Sequence, residues 1–197
     1  MSIELKPVTN KNFTEWRKAV RHGFGQHVHP DDITRLKNDR AELDRLVAAV
    51  DIVSDRIVAT GGVDSYSLTL PGGGVIPMAG VAYMTTSVTH RRQGAFSEIL
   101  SHIHNDARER GDLVSGLWAS QSHLYGRFDY GLAINSYDWE IDPVHGAFSR
   151  SSVFQGTDLD SCVYFVDATE AAHILPHIYD QMRVQTTGAV DRTPGRW

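Results

Sequence analysis

The stretch Thr89–Leu100 reads THRRQGAFSEIL, and it follows an apolar stretch, Val81–Thr86, that ends in hydroxyl side chains. This order indicates a strand, a basic turn that contains glycine, and a helix. A helix start carries unpaired N–H groups and a partial positive charge, and a glycine lets an anion approach the backbone. Arg91 and Arg92 add charge-assisted donors. The turn can therefore bind a pyrophosphate, although an ordinary solvated basic turn explains this stretch equally well.

The composition is that of an ordinary globular protein. The chain has 197 residues, of which 41% are hydrophobic and 22% charged, enough for one core and the start of a second domain. Its formal net charge of −5 disfavours nucleic acid as the main partner. No apolar run reaches the roughly 18–20 residues of a membrane span, the first residues lack a signal-peptide pattern, and the single cysteine, Cys162, excludes an internal disulfide. We therefore expect a soluble, cytoplasmic protein that binds neither nucleic acid nor membranes.

The spacing of apolar residues predicts strands and helices in mixed order in the first half of the chain. Pro77 indicates an edge or a bulge near the start of the last strand of this half. The predicted elements are a strand over 3–8, a helix over about 10–24, a second helix from Pro30 whose apolar face runs to Val47, a hairpin around Ser54 and Asp55 whose second strand continues to Leu70, a turn over 71–74, and a strand over 75–86.

The second half continues this mixed layout. Its predicted elements are a helix over 94–110, a buried strand over 113–118, a short helix or turn over 122–128, a strand over 132–141, a strand from Cys162, and a helix over 168–183. Because one strand and one helix cannot bury a core alone, the last part must pack on the first domain, on another copy or on a further part. We predict a domain over residues 1–145, a linker over 146–160 and the start of a second domain over 161–197.

The basic turn resembles motif A of the GCN5-related N-acetyltransferases (GNAT), [Q/R]-x-x-G-x-[G/A], with Arg91 at the first position and Gly94 at the fourth. Phe96 departs from the final small residue. The segments 76–80, 89–94 and 118–131 are similar to the Eis (enhanced intracellular survival) branch of aminoglycoside and lysine N-acetyltransferases, and the run A-S-x-x-x-x-Y-G-R-F-x-Y-G is specific. The resemblance corresponds to the N-terminal part of longer family chains. It implies an α/β fold of the α+β type, with a mixed, mostly antiparallel central sheet flanked by helices.

The resemblance implies acetyl-CoA as the cofactor. The strand before motif A then hydrogen-bonds the pantetheine arm through its backbone, and the amides and arginines of motif A hold the phosphates. The run Met84-Thr85-Thr86 replaces the usual V-x-V, a change that would fall on the acyl pocket. The implied cofactor positions are Tyr83, Met84, Thr85, Thr86, Arg91, Arg92, Gln93, Gly94, Ala95, Phe96 and Ser120.

Tyr125 matches the general-acid tyrosine of the family, which protonates the leaving CoA thiolate. A phenol has a pKa of about 10 and stays protonated at neutral pH. It can therefore donate its proton to the negative charge that develops on sulfur. In the family the amine proton is taken by the C-terminal carboxylate of a longer chain, and Trp197 is not assigned that role. The alternatives are a non-catalytic CoA-binding or assembly module, and a phosphate-binding protein unrelated to CoA.

The implied acceptor is the primary amine of a polyamine, such as an aminoglycoside, or of a lysine. The loop between the first two helices borders the acceptor cleft in the resembling fold, so Phe24, His27, Asp31 and Asp32 are candidate acceptor contacts. A solvated helix cap is the competing interpretation of these residues. The histidines of this loop fit no strong metal-ligand spacing, so we predict no metal site. Because relatives form hexamers, we also expect a homo-oligomer.

Overall fold

The computed structural model describes residues 3–39, 42–135, 137–145, 164–193 and 196–197. The described chain separates into two compact units, one of Met1–Ser120 with Pro176–Trp197 and the other of Gln121–Leu175. The predicted linker over 146–160 and Cys162 lie outside the described residues, so the division at 145 and 161 stays a prediction. Contacts group the stretch from Pro176 onward with the first unit.

The first unit is built on a five-stranded sheet with the strand order β1-β2-β3-β4-β5. The first four strands are antiparallel to their neighbours, and β5 runs parallel to β4. The predicted mixed, mostly antiparallel sheet is therefore confirmed. The strands are β1 (Ile3–Pro7), β2 (Leu46–Asp51), β3 (Arg56–Thr69), β4 (Val75–Thr86) and β5 (Val114–Gly116), and the helices are α1 (Phe13–Gly23), α2 (Pro30–Asp39), α3 (Ala95–Arg110) and α4 (Ala168–Arg183).

Helices α1 and α3 cover opposite faces of this sheet. On β3, Gly61 lies against Ile99 of α3, whereas its neighbour Thr60 bonds Thr85, which lies against Gly23 of α1. Successive residues of a strand point to opposite faces, so the two helices must be on different sides. The core of the α1 face is a cluster of buried apolar side chains: Val8, Phe13, Trp16, Val20, Leu36, Leu46, Ala48 and Val50. That of the α3 face includes Ile99, Leu100, Ile103 and Ala107.

The predicted second helix was too long. The helix α2 ends at Asp39, a single turn of 3-10 helix spans Leu43–Arg45, and β2 begins at Leu46. The first five residues of β2 are all buried, because this strand has neighbours in the sheet and a helix on each face. A strand buried on both sides reads as a continuous apolar run, which periodicity alone does not distinguish from a helix.

Three strand predictions also need correction. The strand predicted over 113–118 is reduced to β5, and it is flanked by exposed Leu113 and Trp118 rather than buried. The described part of 132–141 forms no strand, and its apolar side chains are exposed; alternation alone does not make a strand without a partner that accepts its backbone hydrogen bonds. Pro77 does not lie at a bulge, since it stands opposite Ser67 in an unbroken register, and it comes directly before the residues of β4 that pair with β5.

Gly61 offers a direct test of this packing. A Cβ at this position would collide with the Cγ2 atom of Ile99, which is fully buried, and would lie 2.8 Å from the sulfur of Met84. We expect Gly61→Ala to lower the free energy of unfolding by about 1–3 kcal/mol, the usual cost of overpacking a core. Urea denaturation measures this change.

Gly74→Ala is the matched control. A Cβ there would meet no atom within 4 Å, and the backbone φ of −62° suits alanine. Its free energy of unfolding should stay level or rise by about 0.4–1 kcal/mol, because alanine restricts the unfolded chain. Equal losses in both variants would show that space at Gly61 is not the constraint.

Candidate functional site

The strand β4 contains a bulge beside its carboxyl end. Gly62 pairs with Ala82 and Thr60 pairs with Thr85, so Gly61 stands opposite the two residues Tyr83 and Met84. Tyr83 has a φ of 60°, a left-handed conformation that residues other than glycine seldom adopt. An extra residue of this kind bends a strand and changes its pairing.

Contacts from two other elements, β3 and α1, hold Tyr83 in this conformation. The Thr60 hydroxyl donates to the Tyr83 carbonyl oxygen over 2.8 Å, and the Tyr83 hydroxyl donates to Oδ1 of Asp64 over 3.1 Å. The ring of Tyr83 meets the ring of Trp16 edge-on, with centroids 5.3 Å apart. Trp16 is itself fixed because its indole N–H donates to the Val47 carbonyl. A strained conformation persists where its surroundings over-determine it in this way.

The Thr85 side chain completes a directed chain of hydroxyls. Its Oγ1 atom lies 2.6 Å from Oγ1 of Thr60. The single hydroxyl proton of Thr60 is already donated to Tyr83, so Thr85 must be the donor to Thr60. The Oγ1 atom of Thr86 is buried and has no hydrogen-bond partner among the described residues.

After Gly80, β4 presents an open edge that includes the bulge. Its pairing with β5 is limited to Met78–Gly80, and β4 continues through Val81–Thr86 with no strand on that side among the described residues. An unpaired strand edge offers N–H and C=O groups to an extended ligand. Tyr83, Met84, Thr85 and Thr86 all lie on this open part of β4.

The open strand leads into the basic turn. A single 3-10 turn, Val88–His90, follows β4, and α3 starts at Ala95 with Gly94 as its cap residue. Gly94 has a φ of 93°, a conformation that glycine adopts without strain. Because glycine has no side chain, the first N–H groups of the helix are left without a side-chain cap. The side-chain amide of Gln93 donates to the Thr89 carbonyl over 3.1 Å and closes the turn.

The residues of this turn differ in their exposure to solvent. Arg91 and Arg92 are exposed, Ala95 is buried and Phe96 is half-buried. Arg92 has a φ of 61° and is, with Tyr83, one of the four described non-glycine residues with a positive φ. Strained backbone tends to cluster at functional sites. The guanidinium groups and the helix start therefore face solvent together at the end of the open strand.

A groove of about 580 Å³ lies beside the same strand end on the α1 face. The residues Thr85–Val88 form one wall, and α1 contributes Glu15, Lys18 and His22. Asp55 and Arg56 of the β2–β3 turn also line it. Acidic and basic side chains are mixed, so its charge does not select a class of ligand.

Ser120 and Tyr125 follow β5 along the chain. Ser120 is exposed and ends the first of the two stretches that form the first unit. Tyr125 belongs to the second unit, between the 3-10 turns Ser122–Leu124 and Gly126–Phe128. Burial raises the pKa of the Tyr125 phenol above its ordinary value, and its ring meets that of Tyr130 edge-on at 5.8 Å. This environment keeps the phenol protonated at neutral pH.

The predicted acceptor residues lie on the connection between α1 and α2 or at its edges. Phe24 follows α1 and is 48% exposed, and His27 is exposed. Asp31 is exposed, with Oδ2 3.4 Å from Nδ1 of His29, and Asp32 lies in the first turn of α2. No group of three or more His, Cys, Asp or Glu in the described part of the chain could hold a metal ion.

Several residues of the site were missed by sequence reasoning. Thr60, Gly61 and Asp64 on β3 hold or face the bulge, and none was a predicted site residue. The pair Gly61-Gly62 inside a strand was the available signal, because glycines in strand interiors often mark a bulge or a close approach.

Among the helices described, none is both long and apolar enough to cross a membrane.

Comparisons with known proteins agree with this geometry. A family described as "Acetyltransferase (GNAT) domain" matches residues 4–133. A protein of Streptomyces avermitilis called "Uncharacterized N-acetyltransferase" is 30% identical over 99% of this chain and 46% of its own length. "N-acetyltransferase Eis" of Mycobacterium tuberculosis is 32% identical over 66% of this chain and 32% of its own length.

A similar fold is found in a crystal structure of Eis1 from Mycobacterium abscessus. It has a TM-score of 0.70 and 22% identity, and the match covers 100% of this chain and 46% of that one. The chain thus spans about half the length of the relatives that it matches along its whole length. The family match covers well over half of the chain, and this chain belongs to the acetyltransferase (GNAT) domain family.

Proposed function

We propose that this chain transfers the acetyl group of acetyl-CoA directly to a primary amine. The observation that carries the proposal is the continuous path from the open edge of β4 through the basic turn to the start of α3. An extended pantetheine arm suits an unpaired strand edge, and a pyrophosphate suits a helix start with exposed arginines. The two parts are joined by Ser87 and the 3-10 turn Val88–His90.

Each cofactor contact then has a chemical role. The backbone of Tyr83, Met84, Thr85 and Thr86 pairs with the amides of pantetheine. The motif-A residues Arg91–Phe96 bind the phosphates, with Gln93 holding the turn, and Ser120 lies near the cofactor as the family resemblance implies.

The reaction needs no covalent enzyme intermediate. The amine nitrogen attacks the acyl carbon, the C–S bond breaks, and the amine loses a proton to a base or to a water chain. Tyr125 gives its phenolic proton to the departing thiolate, a role that its raised pKa supports because the phenol stays protonated. Tyr125 is then reprotonated from solvent.

The acceptor that we propose is an aminoglycoside-like polyamine or a lysine. The proposal is supported by the similarity to proteins named Eis and by the net charge of −5, which favours cationic ligands. Phe24, His27, Asp31 and Asp32 are the candidate contacts. We also propose that the chain forms homo-oligomers.

A non-catalytic module that binds CoA or assists assembly is the second candidate. One observation favours it: Met84-Thr85-Thr86 departs from the usual strand end.

Calorimetric titration tests the cofactor site. Acetyl-CoA should bind one-to-one and more tightly than adenosine diphosphate. Arg91→Ala and Arg92→Ala should each weaken acetyl-CoA binding by about 10–100-fold, since a hydrogen bond to a charged group contributes about 1.5–3 kcal/mol. The control is Arg108→Ala, which removes an exposed arginine in the last turn of α3 and should leave the affinity for acetyl-CoA unchanged. Equal affinity for both ligands would indicate a phosphate site unrelated to CoA.

The variant Tyr125→Phe separates an enzyme from a binding module. For an enzyme, removal of the general acid should lower kcat by about 100–10,000-fold, while the dissociation constant of acetyl-CoA stays the same. Release of CoA thiol with an aminoglycoside and with a lysine peptide provides the assay. Tyr137→Phe, which removes an exposed phenol of the same unit, is the control. Wild-type protein that binds acetyl-CoA without turning over either acceptor would favour the module.

The raised pKa of Tyr125 also predicts a pH dependence of stability. The unfolded phenol ionises at about pH 10, whereas the folded phenol ionises at higher pH. Its contribution to the free energy of unfolding is therefore complete below pH 10, and it is lost as the pH rises through the pKa of the folded state. Subtraction of the phenolate absorbance titration of Tyr125→Phe from that of the wild type should reveal a group that ionises above free tyrosine amide. A coincident curve would contradict the burial.

A further inference from the structure

A distant part of the chain returns to the sheet beside the bulge. Residues 186–193 and 196–197, here called the return segment, pair with the part of β3 that extends beyond β2. Leu68 forms an antiparallel bridge with Val190, and Gly188 donates to the Thr69 carbonyl over 2.8 Å. The Ser67 amide donates to Oδ1 of Asp191 over 2.7 Å. The return segment thus occupies the edge of β3 that β2 leaves open.

Arg196 of the return segment lies almost fully buried against β3. Its side chain is 8% exposed, and its Nη2 atom lies 3.7 Å from Oδ2 of Asp64. Its Nη1 atom donates to the Ser65 carbonyl over 3.1 Å, and its guanidinium carbon lies 3.8 Å from the centre of the Tyr66 ring. One arginine therefore makes an ion pair, a backbone hydrogen bond and a cation–π contact.

The partners of Arg196 contact β4 on one side and the chain that follows β5 on the other. The other carboxylate oxygen of Asp64 accepts the hydroxyl proton of Tyr83, the bulged residue of β4. On the other side, the Tyr66 ring packs against Trp118, two residues beyond β5, with ring centroids 5.9 Å apart. The guanidinium of Arg196 thus connects with the bulge of β4 through Asp64. It connects with the chain that follows β5 through Tyr66.

We propose that Arg196 and Asp64 are positioning residues that hold the Tyr83 bulge, and with it the open edge of β4, in the form that receives acetyl-CoA. The side chain of Asp64 is 15% exposed, and burying a charge is costly unless an opposite charge lies beside it. Arg196 supplies the positive charge, and the charged carboxylate is a stronger acceptor for Tyr83 than a neutral group. The inference rests on the proposed function for its link to acetyl-CoA, but not for its link to the bulge.

A purely structural role for Arg196 is the competing interpretation, and Arg192 provides the matched control. Arg192 belongs to the same return segment and stacks on the rings of Tyr179 and Trp197, at 4.3 and 5.0 Å. Both variants, Arg196→Ala and Arg192→Ala, remove a cation–π contact, but only the first removes the ion pair with Asp64.

Hydrogen–deuterium exchange of the ligand-free protein tests the local part of the proposal. We expect Arg196→Ala to speed exchange across residues 81–86 by at least several-fold relative to wild type, and Arg192→Ala to leave it unchanged. Asp64→Asn, which keeps the shape of the side chain, should act like Arg196→Ala if the latter folds poorly. The proposal would be overturned, whether or not acetyl-CoA binds, if residues 81–86 of Arg196→Ala and Asp64→Asn exchanged at the wild-type rate.

The affinity for acetyl-CoA tests the link to the cofactor. Arg196→Ala, Asp64→Asn and Tyr83→Phe should each weaken binding by about 5–20-fold, and the double variant Arg196→Ala/Tyr83→Phe should be no weaker than the worse single variant, since both act through one chain of contacts. Arg196→Lys, which keeps the charge, should recover part of the loss. Additive effects, or an equal loss in Arg192→Ala, would contradict the positioning role. Wild-type protein without affinity for acetyl-CoA would refute the proposed function, and exchange at 81–86 would still decide the local part.

Discussion

The bulge at Tyr83 is the constraint on which the rest of the candidate site depends. The strand β4 must stay paired with β3 along most of its length and yet turn away from β5 after Gly80. An extra residue on one strand achieves this, because it bends the strand without breaking the neighbouring pairs. The bulge also requires a partner without a side chain, since Ile99 and Met84 fill the space where a Cβ of Gly61 would lie. The packing of α3 and the bulge in β4 therefore both depend on the absence of a side chain at Gly61.

The left-handed conformation of Tyr83 is maintained by long-range contacts rather than by local preference. Nothing in a tyrosine favours a positive φ, which costs on the order of 1–3 kcal/mol. Thr60 holds its carbonyl, Trp16 holds its ring and Asp64 holds its hydroxyl, and these residues come from two different elements, β3 and α1. The fold thus stabilises a strained residue at the place where the proposed chemistry needs unpaired backbone groups. In the basic turn Gly94 adopts its positive φ without strain, whereas Arg92 of the same turn is a non-glycine residue with a φ of 61°.

The parts of the site that were predictable from sequence are those with local causes. The strand ending at Thr86, the turn before Gly94 and the helix α3 follow from apolar spacing and turn chemistry within a few residues. Predictions failed where a partner distant in sequence decides the structure: Leu46 and Val47 are strand residues because the sheet buries them, and the alternating residues from Leu132 form no strand without a neighbour. The predicted roles of Tyr125 and of the acceptor loop still rest on resemblance, because local patterns cannot say which groups converge.

Asp64 shows why such long-range pieces matter for electrostatics as well as for shape. A carboxylate with little exposure is costly to bury unless an opposite charge lies beside it, and a charged carboxylate is a strong acceptor for the Tyr83 hydroxyl. Arg196 supplies such a charge, with its Nη2 atom 3.7 Å from Oδ2 of Asp64. A residue near the far end of the chain can therefore control the strength of a hydrogen bond to the bulge itself. Because the return segment also satisfies the backbone of β3 beyond β2, one stretch of chain both completes the sheet and sets the charge next to the proposed acyl site.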